Sequence, residues 1–205
     1  MVRHAQSVWN AEGRWQGQAD PDLSPAGEEQ AHRAAAALAS FPPYDLVVSS
    51  DLARARHTAE ILAGDLGVAG PVAEVTALRE YDVGEWSGLT RDQIDQRWPG
   101  LLIAFSERKL AAAPGGERRA DFDQRVQLAA QEVAGLAHAR HAARVLIVAH
   151  GGVVRSLARA AGLPEGGATH LAGYEGLVQE ATLAPERSVD LLASAEPDSL
   201  EPISL

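Results

Sequence analysis

Two short runs of consecutive apolar residues, each followed by a helical pattern, constrain the fold of this chain most strongly. Residues 46–48 and 145–149 are apolar without polar alternation, which is typical of parallel strands buried on both faces. An apolar stripe with helical spacing follows the first run over residues 52–66, and a Gly-Gly pair opens a helix after the second. Strands that alternate with helices predict an α/β fold, a three-layer α/β/α sandwich with a mostly parallel central sheet.

Capping residues and helix-breaking residues set the other boundaries. Ser24 with Pro25 is a typical helix start, Asp51 is a candidate N-cap, and Thr90 opens a helix that ends before Pro99. We predict helices over residues 25–40, 52–66, 90–97, 121–140 and 151–161, a helix followed by a loop over 101–116, and strands over 45–50, 72–75, 145–149 and 189–192. The sequence shows no repeat and no linker, and it therefore predicts one domain over residues 1–205. The C-terminal boundary of this domain is not determined beyond about residue 185.

Composition excludes several classes of protein. The net charge of −10 argues against nonspecific nucleic-acid binding, which needs a basic face. No run of 18 apolar residues is present, so no membrane span is predicted, and residues 1–4 lack the apolar stretch of a secretory signal. The absence of cysteine excludes disulfides, thiolate metal sites and a cysteine nucleophile. The simplest interpretation is a cytoplasmic protein.

Polar residues gather at the carboxyl ends of the predicted strands. Arg3-His4, residues 49–54 and His150-Gly151 lie at or just beyond such ends, where ligands bind in open α/β sheets. Taken singly, each has an ordinary explanation: His150 could be a packed core histidine, and Arg54 a surface charge. Their shared position indicates a ligand site.

Five sequence blocks follow one another along residues 2–160. They are Arg-His-Ala-Gln-Ser at 3–7 with Asn10, Gly-Arg-Trp-Gln-Gly at 13–17, Ser-Ser-Asp-Leu-Ala-Arg-Ala at 49–55, Leu-Arg-Glu at 78–80 with Gly-Glu-Trp-Ser-Gly-Leu-Thr at 84–90, and Val-Ala-His-Gly-Gly at 148–152. In residue sequence and in order these blocks resemble those of the histidine phosphatase superfamily. That superfamily includes the cofactor-dependent phosphoglycerate mutases and many small phosphatases.

The resemblance implies a catalytic role for five residues. His4 matches the histidine that forms a covalent phosphohistidine, and neutral imidazole is a competent nucleophile near neutral pH. Glu80 matches the residue that protonates the leaving group and later activates water. Arg3 and Arg54 are expected to bind the phosphoryl oxygens, because a guanidinium can donate two hydrogen bonds to phosphate, and His150 is expected to be a further donor.

Four more residues are predicted to contact phosphate or substrate. These are Asn10, Gln16, Gly17 and Gly151, the last because a helix N-terminus attracts anions. No metal and no cofactor are predicted, since the seven histidines form no metal-binding pattern. The expected partner is a small phosphorylated metabolite, and a homodimer is compatible with the sequence.

Several neighbouring positions allow two interpretations. His57 could contact substrate or face solvent, and Trp15 and Trp86 could border the site entrance or pack in the core. Ala5 replaces the glycine that the family usually has, which would matter only if the backbone needed a positive φ. Arg118, where the family usually has serine, could bind a second anionic group but more simply faces water.

The start of the chain also departs from the pattern. Only Met1 and Val2 precede Arg3, where the family has a longer strand. Either the true reading frame starts upstream, or neighbouring segments fill a gap in the sheet.

Three functions follow from the resemblance. The first is a metal-independent phosphatase for phosphate monoesters of small metabolites, of the sugar phosphate or phosphoglycerate type. The second is a phosphoglycerate mutase, and the third is an inactive relative that only binds phosphorylated ligands. The family's mutases have longer insertions over the site, whereas 61 residues (89–149) separate Gly88 from His150 here, so we predict a phosphatase.

Overall fold

The computed structural model describes residues 1–160 in full and, beyond them, the backbone of four strands. The predicted limit near residue 185 and the segment after residue 192 lie outside the described residues. Among the helices that are described, none combines the length and the hydropathy needed to cross a membrane.

Parallel strands form the centre of the main sheet, as predicted. In chain order the strands are β1 (Val2–Arg3), β2 (Leu46–Ser49), β3 (Ala73–Glu74), β4 (Val145–Ala149), β5 (Thr169–Leu171), β6 (Tyr174–Val178), β7 (Glu180–Leu183) and β8 (Val189–Leu192). The sheet order is β3-β2-β4-β1-β6-β5, in which β3, β2, β4 and β1 are mutually parallel. β6 pairs antiparallel with β1, β5 pairs antiparallel with β6, and β7 and β8 pair separately.

Side chains of the central strands are buried on both faces of the sheet. Val47 and Leu146 pack with the helices over residues 25–38 and 53–65 on one face, whereas Val48 and Ala149 pack with those over residues 119–139 and 151–160 on the other. This two-sided burial explains why the strand sequences show no polar alternation, and it produces the predicted three layers.

The helices begin largely where the caps predict. They are α1 (Val8–Ala11), α2 (Pro25–Leu38), α3 (Ala53–Asp65), α4 (Arg91–Arg97), α5 (Leu101–Ser106), α6 (Arg119–Ala139) and α7 (Gly151–Ala160), with short 3₁₀ helices at Thr76–Leu78 and Gly84–Trp86. Ser24 accepts a hydrogen bond from the Gly27 amide at 3.0 Å, and Thr90 forms a capping box with Gln93. The single turn of α1 was not predicted, because four residues are too few for an apolar periodicity.

The predicted cap at Asp51 is wrong. Leu52 is the N-cap of α3 and makes no side-chain cap bond. Asp51 instead accepts two hydrogen bonds from Arg79, at 2.8 and 2.7 Å, and these bonds hold the pKa of its carboxyl below the usual range. A bidentate arginine pair is stronger than one bond to a backbone amide, so the carboxylate turns away from the helix.

The short strand β1 lies in the middle of the sheet. Val2 pairs with Val148 of β4 on one side and with Val178 of β6 on the other, and Arg3 pairs with Ala149. The carboxyl end of β1 therefore lies beside that of β4.

Candidate active site

Two buried histidines meet where β1 and β4 end. His4 follows β1 and His150 follows β4, and the His4 amide donates to the Ala149 carbonyl at 2.9 Å. The parallel register places the two imidazoles side by side, with ring centroids 5.1 Å apart in an edge-to-face arrangement. His4 is 6% exposed and His150 is 0% exposed, so the two histidines that the sequence places at strand ends lie together and are buried.

The hydrogen bonds of His4 assign its tautomer. Nδ1 lies 2.7 Å from the Ala5 carbonyl oxygen, which can only accept, so Nδ1 carries the proton. Nε2 accepts a bond from Arg54 Nε at 3.2 Å. Burial, followed by the charges of Arg54 and Arg3, lowers the pKa of His4 well below its usual range. The ring is therefore neutral at pH 7, with the Nε2 lone pair directed toward a guanidinium.

Arg54 is fixed by backbone carbonyls on a neighbouring loop. It is 1% exposed, Nη1 donates to the Ala19 carbonyl at 2.8 Å, and Nη2 donates to the Gly17 carbonyl at 2.8 Å. Burial lowers the pKa of Arg54 to about 10, so it stays charged at neutral pH. Each Nη keeps a second N–H, which allows the held guanidinium to bind an anion as well. Gly17, predicted as a phosphate contact, contributes its carbonyl to this support.

The two ring nitrogens of His150 differ in their hydrogen bonding. Its Nε2 lies 2.9 Å from Ser50 Oγ, while its buried Nδ1 has no hydrogen-bond partner among the described residues. Burial, together with the charge of Arg54, lowers the pKa of His150 well below its usual range. A neutral histidine can still donate one hydrogen bond, because one of its two nitrogens carries a proton.

Two further arginines approach the start of α7. A Cβ placed on Gly151 would lie 3.2 Å from Arg155 Nη1 and 3.8 Å from Arg3 Nε. Gly151 thus lies between these two side chains, next to His150. The charges of Arg54 and Arg3 act on both histidines and help to lower their pKa values, and Arg155 adds a positive charge beside Gly151.

Glu80 occupies the N-terminus of α7. Its Oε1 accepts from the Tyr81 amide at 2.8 Å, and its Oε2 accepts from the Gly152 amide at 3.0 Å. A Cβ on Gly152 would come within 2.1 Å of Glu80 Oε1, so only glycine permits this approach. We expected the Gly-Gly backbone to bind phosphate, but the group bonded to the Gly152 amide is the Glu80 carboxyl.

Asn10 and Gln16 surround the fully buried Ser7. Ser7 Oγ donates to Gln16 Oε1 at 2.7 Å, and Asn10 closes a capping box with Ser7 around α1. Both amides therefore shape the loop next to His4, and their contact with substrate stays a prediction.

The positions with two interpretations are largely resolved. Trp86 is fully buried, and Trp15 packs edge-to-face on it at 5.5 Å, so both belong to the core. Ala5 is absent from the described non-glycine residues with positive φ, and alanine therefore fits there without strain. Arg118 is exposed, as the simpler interpretation expects. His57 pairs with Asp22 at 3.0 Å, and a contact between His57 and substrate stays a prediction.

A comparison with protein families agrees with this geometry. The sequence model of the histidine phosphatase superfamily, branch 1, matches residues 1–187. The chain belongs to this superfamily. Two curated relatives of this histidine phosphatase are a glucosyl-3-phosphoglycerate phosphatase of Mycolicibacterium vanbaalenii, 41% identical over 80% of this chain and 74% of the relative, and a 2,3-bisphosphoglycerate-dependent phosphoglycerate mutase of Rhizobium rhizogenes, 34% identical over 77% and 75%.

A solved structure extends the likeness to the fold. The mycobacterial glucosyl-3-phosphoglycerate phosphatase in complex with VO3 is 40% identical, covers 80% of this chain and 81% of its own, and superposes with a TM-score of 0.67. The predicted family, fold and phosphatase class are confirmed by these relatives.

Sequence reasoning missed two residues that this histidine phosphatase brings to the site, Ser50 and Arg155, and it expected phosphate rather than Glu80 at the Gly152 amide. Ser50 bonds His150, Gly152 holds Glu80, and Arg155 approaches Gly151. Arg155 could have been found, since it follows Gly151 by four residues on α7 and must lie on the same face. No signal in the sequence pairs Gly152 with Glu80, because they belong to different blocks.

Proposed function

We propose that this protein hydrolyses phosphate monoesters of small metabolites, without a metal, through a phosphohistidine on His4. The observation that carries the proposal is the state of His4: a buried, neutral imidazole whose Nδ1 donates to Ala5 and whose Nε2 lone pair faces the Arg54 guanidinium. Such a nitrogen can act as a nucleophile, and it lies beside the guanidinium that would bind the phosphoryl group it attacks.

In the first step, the bound phosphoryl group takes the Arg54 N–H that His4 Nε2 otherwise accepts, and the freed Nε2 lone pair attacks phosphorus. The P–N bond forms as the bond from phosphorus to the ester oxygen breaks, and protonated Glu80 gives its proton to the departing alkoxide. Arg3 and Arg54, with His150, stabilise the charge on the three equatorial oxygens. Glu80 accepts one bond at each carboxyl oxygen, which leaves lone pairs that can hold this proton.

In the second step, water replaces the histidine. Glu80, now a carboxylate, takes a proton from the attacking water, the O–P bond forms and the P–N bond breaks. Phosphate leaves and His4 returns to its neutral state. One carboxyl group thus acts first as an acid and then as a base.

For the substrate, we propose a sugar phosphate or phosphoglycerate ester. The mycobacterial relative named for glucosyl-3-phosphoglycerate supports this class and makes that compound the first to test. The relative in complex with VO3, an analogue of the transferring phosphoryl group, supports a phosphoryl site in this fold. Cytoplasmic location and homodimer formation stay predictions.

Hydrolysis is favoured over mutase activity by the short cover of the site. Between Gly88 and His150, α6 and β4 belong to the packed layers, which leaves α4 with 7 residues, α5 with 6 residues and the loops beside them from which a cover could be built. A mutase must exclude water while its intermediate reorients. A cover of this size should admit water, which then takes the phosphoryl group.

We expect phosphate release to exceed isomer exchange when the protein receives 3-phosphoglycerate with a catalytic amount of 2,3-bisphosphoglycerate. A parallel panel that includes glucosyl-3-phosphoglycerate would identify the ester with the highest kcat/KM. Rapid isomer exchange with little free phosphate would make the protein a mutase. Vanadate binding without phosphate release from any ester would make it an inactive relative.

We expect activity to survive excess chelator, because the positive charge at the site comes from Arg3, Arg54 and Arg155 rather than from a cation. Orthovanadate should inhibit, since it mimics five-coordinate phosphorus. The measurement is kcat/KM before and after dialysis against chelator. A loss that magnesium or zinc restores would contradict the metal-free mechanism.

A further inference from the structure

The loop that carries Glu80 is held from outside the site by one arginine of α6. Residues 79–83 form neither helix nor strand, so their carbonyl groups lack the partners that a ladder supplies. Arg125 Nη1 donates to the carbonyls of Ala77 at 2.8 Å and Arg79 at 2.9 Å, and Nη2 donates to that of Glu80 at 3.3 Å. The planar fork of a guanidinium can serve several acceptors in one fixed geometry.

Glu117 fixes the orientation of that guanidinium. Its Oε1 accepts from Arg125 Nε at 3.0 Å and its Oε2 accepts from Nη2 at 2.8 Å. The side chains are only 24% and 16% exposed. A bidentate pair of this kind adds geometric specificity as well as energy.

The segment of Glu117 is itself bonded to the loop beyond Glu80. The Glu117 amide donates to the Asp82 carbonyl at 2.9 Å, and the Tyr81 hydroxyl donates to the Glu117 carbonyl. A Cβ on Gly116 would lie 2.6 Å from the Asp82 carbonyl oxygen, so this close approach requires glycine. The Gly-Gly-Glu block at residues 115–117 therefore supports the Glu80 loop.

We propose that Arg125, oriented by Glu117, is a positioning residue that sets the place of Glu80 as the proton donor. This inference rests on the proposed function. The carboxyl of Glu80 is located by two amides, from Tyr81 and Gly152. Its backbone carbonyl accepts from Arg125 Nη2 and, also at 3.3 Å, from Gln18 Nε2, but Arg125 in addition holds the carbonyls of the preceding residues of the loop. A small displacement of a catalytic group reduces the rate steeply.

The test compares leaving groups, because only a loss of proton donation depends on them. In Glu80→Gln, kcat/KM should fall far more for glycerol phosphate, a poor leaving group, than for p-nitrophenyl phosphate. Arg125→Gln should show the same pattern, with a loss on the order of 10- to 100-fold for glycerol phosphate and a few-fold for p-nitrophenyl phosphate. The double variant should be no slower than Glu80→Gln alone.

Arg159→Gln is the matched control. Arg159 of α7 pairs with Asp123 of α6, the helix that carries Arg125, at 2.8 Å, and the two side chains are 27% and 32% exposed. Arg159 makes none of the bonds to the Glu80 loop described above. This variant should lower kcat/KM by less than about 3-fold on both substrates, since partly exposed ion pairs contribute little. Should Arg125→Gln fail to fold, Arg125→Lys keeps the charge without the fork, and it should lose activity in the same leaving-group-dependent way.

Equal losses on both substrates, or a double variant whose losses multiply, would overturn the positioning role. If Glu80→Gln depends on the leaving group and Arg125→Gln does not, the proposed function stands and only this inference fails. If the wild-type protein releases phosphate from no ester, the proposed function is wrong and the positioning role falls with it.

Discussion

Replacing His4 with alanine should lower kcat/KM by about 10⁴-fold or more, because none of the other proposed residues can take its place as the phosphoryl acceptor. The adduct should disappear as well. With labelled substrate, wild-type protein quenched in alkali should keep the label and protein quenched in acid should lose it, as a phosphoramidate does. The His4→Ala protein should carry no label under either condition.

His150 provides the discriminating comparison for this result. It is buried like His4 and its ring is 5.1 Å away, but its Nε2 is bonded to Ser50. His150→Ala should form the adduct slowly, since it loses a donor to the phosphoryl group and keeps the nucleophile. His32→Ala, at an exposed histidine, should behave as wild type. Label retained in His4→Ala would show that another residue is the nucleophile.

Replacing Arg54 with lysine should lower kcat/KM on the order of 10³-fold although the charge is kept, since loss of one such donor typically costs 10²- to 10³-fold. The guanidinium bonds His4, Ala19 and Gly17 at once and keeps further N–H groups for phosphate. An ammonium has three donors on a flexible stem and cannot reproduce this planar arrangement. The buried carbonyl of Gly17 and the partly buried carbonyl of Ala19 would also lose their bonds to the guanidinium, which carries a desolvation cost.

The control for Arg54→Lys is Arg56→Lys, the same substitution at an exposed position of α3. We expect Arg56→Lys to leave kcat/KM and the vanadate inhibition constant unchanged. Arg54→Lys should weaken vanadate inhibition together with catalysis, because both need the same donors. Weakened catalysis with unchanged vanadate inhibition would contradict a role for Arg54 in binding the transferring group.

Local patterns predicted the secondary structure well and the side-chain contacts poorly. Ser24 and Thr90 were identified as caps because capping joins residues three positions apart. Asp51 was assigned to the same role, and this was wrong because its partner, Arg79, lies 28 positions along the chain. The same carboxylate can cap a helix or form an ion pair, and a local sequence pattern shows only the partner that is near in the chain.

The same distinction between local pattern and long-range contact applies to the site. The sequence alone determined the order of strands and helices and the family, since apolar periodicity and contiguous motifs are linear properties. It also identified the main site residues, which lie at strand ends or in the sequence blocks: His4, Arg54, Glu80 and His150. Only the tertiary structure decided what each of these residues touches. Gly152 meets Glu80 across 72 positions and Arg54 meets Gly17 across 37, and these contacts depend on how the loops approach one another once the sheet and helices have packed.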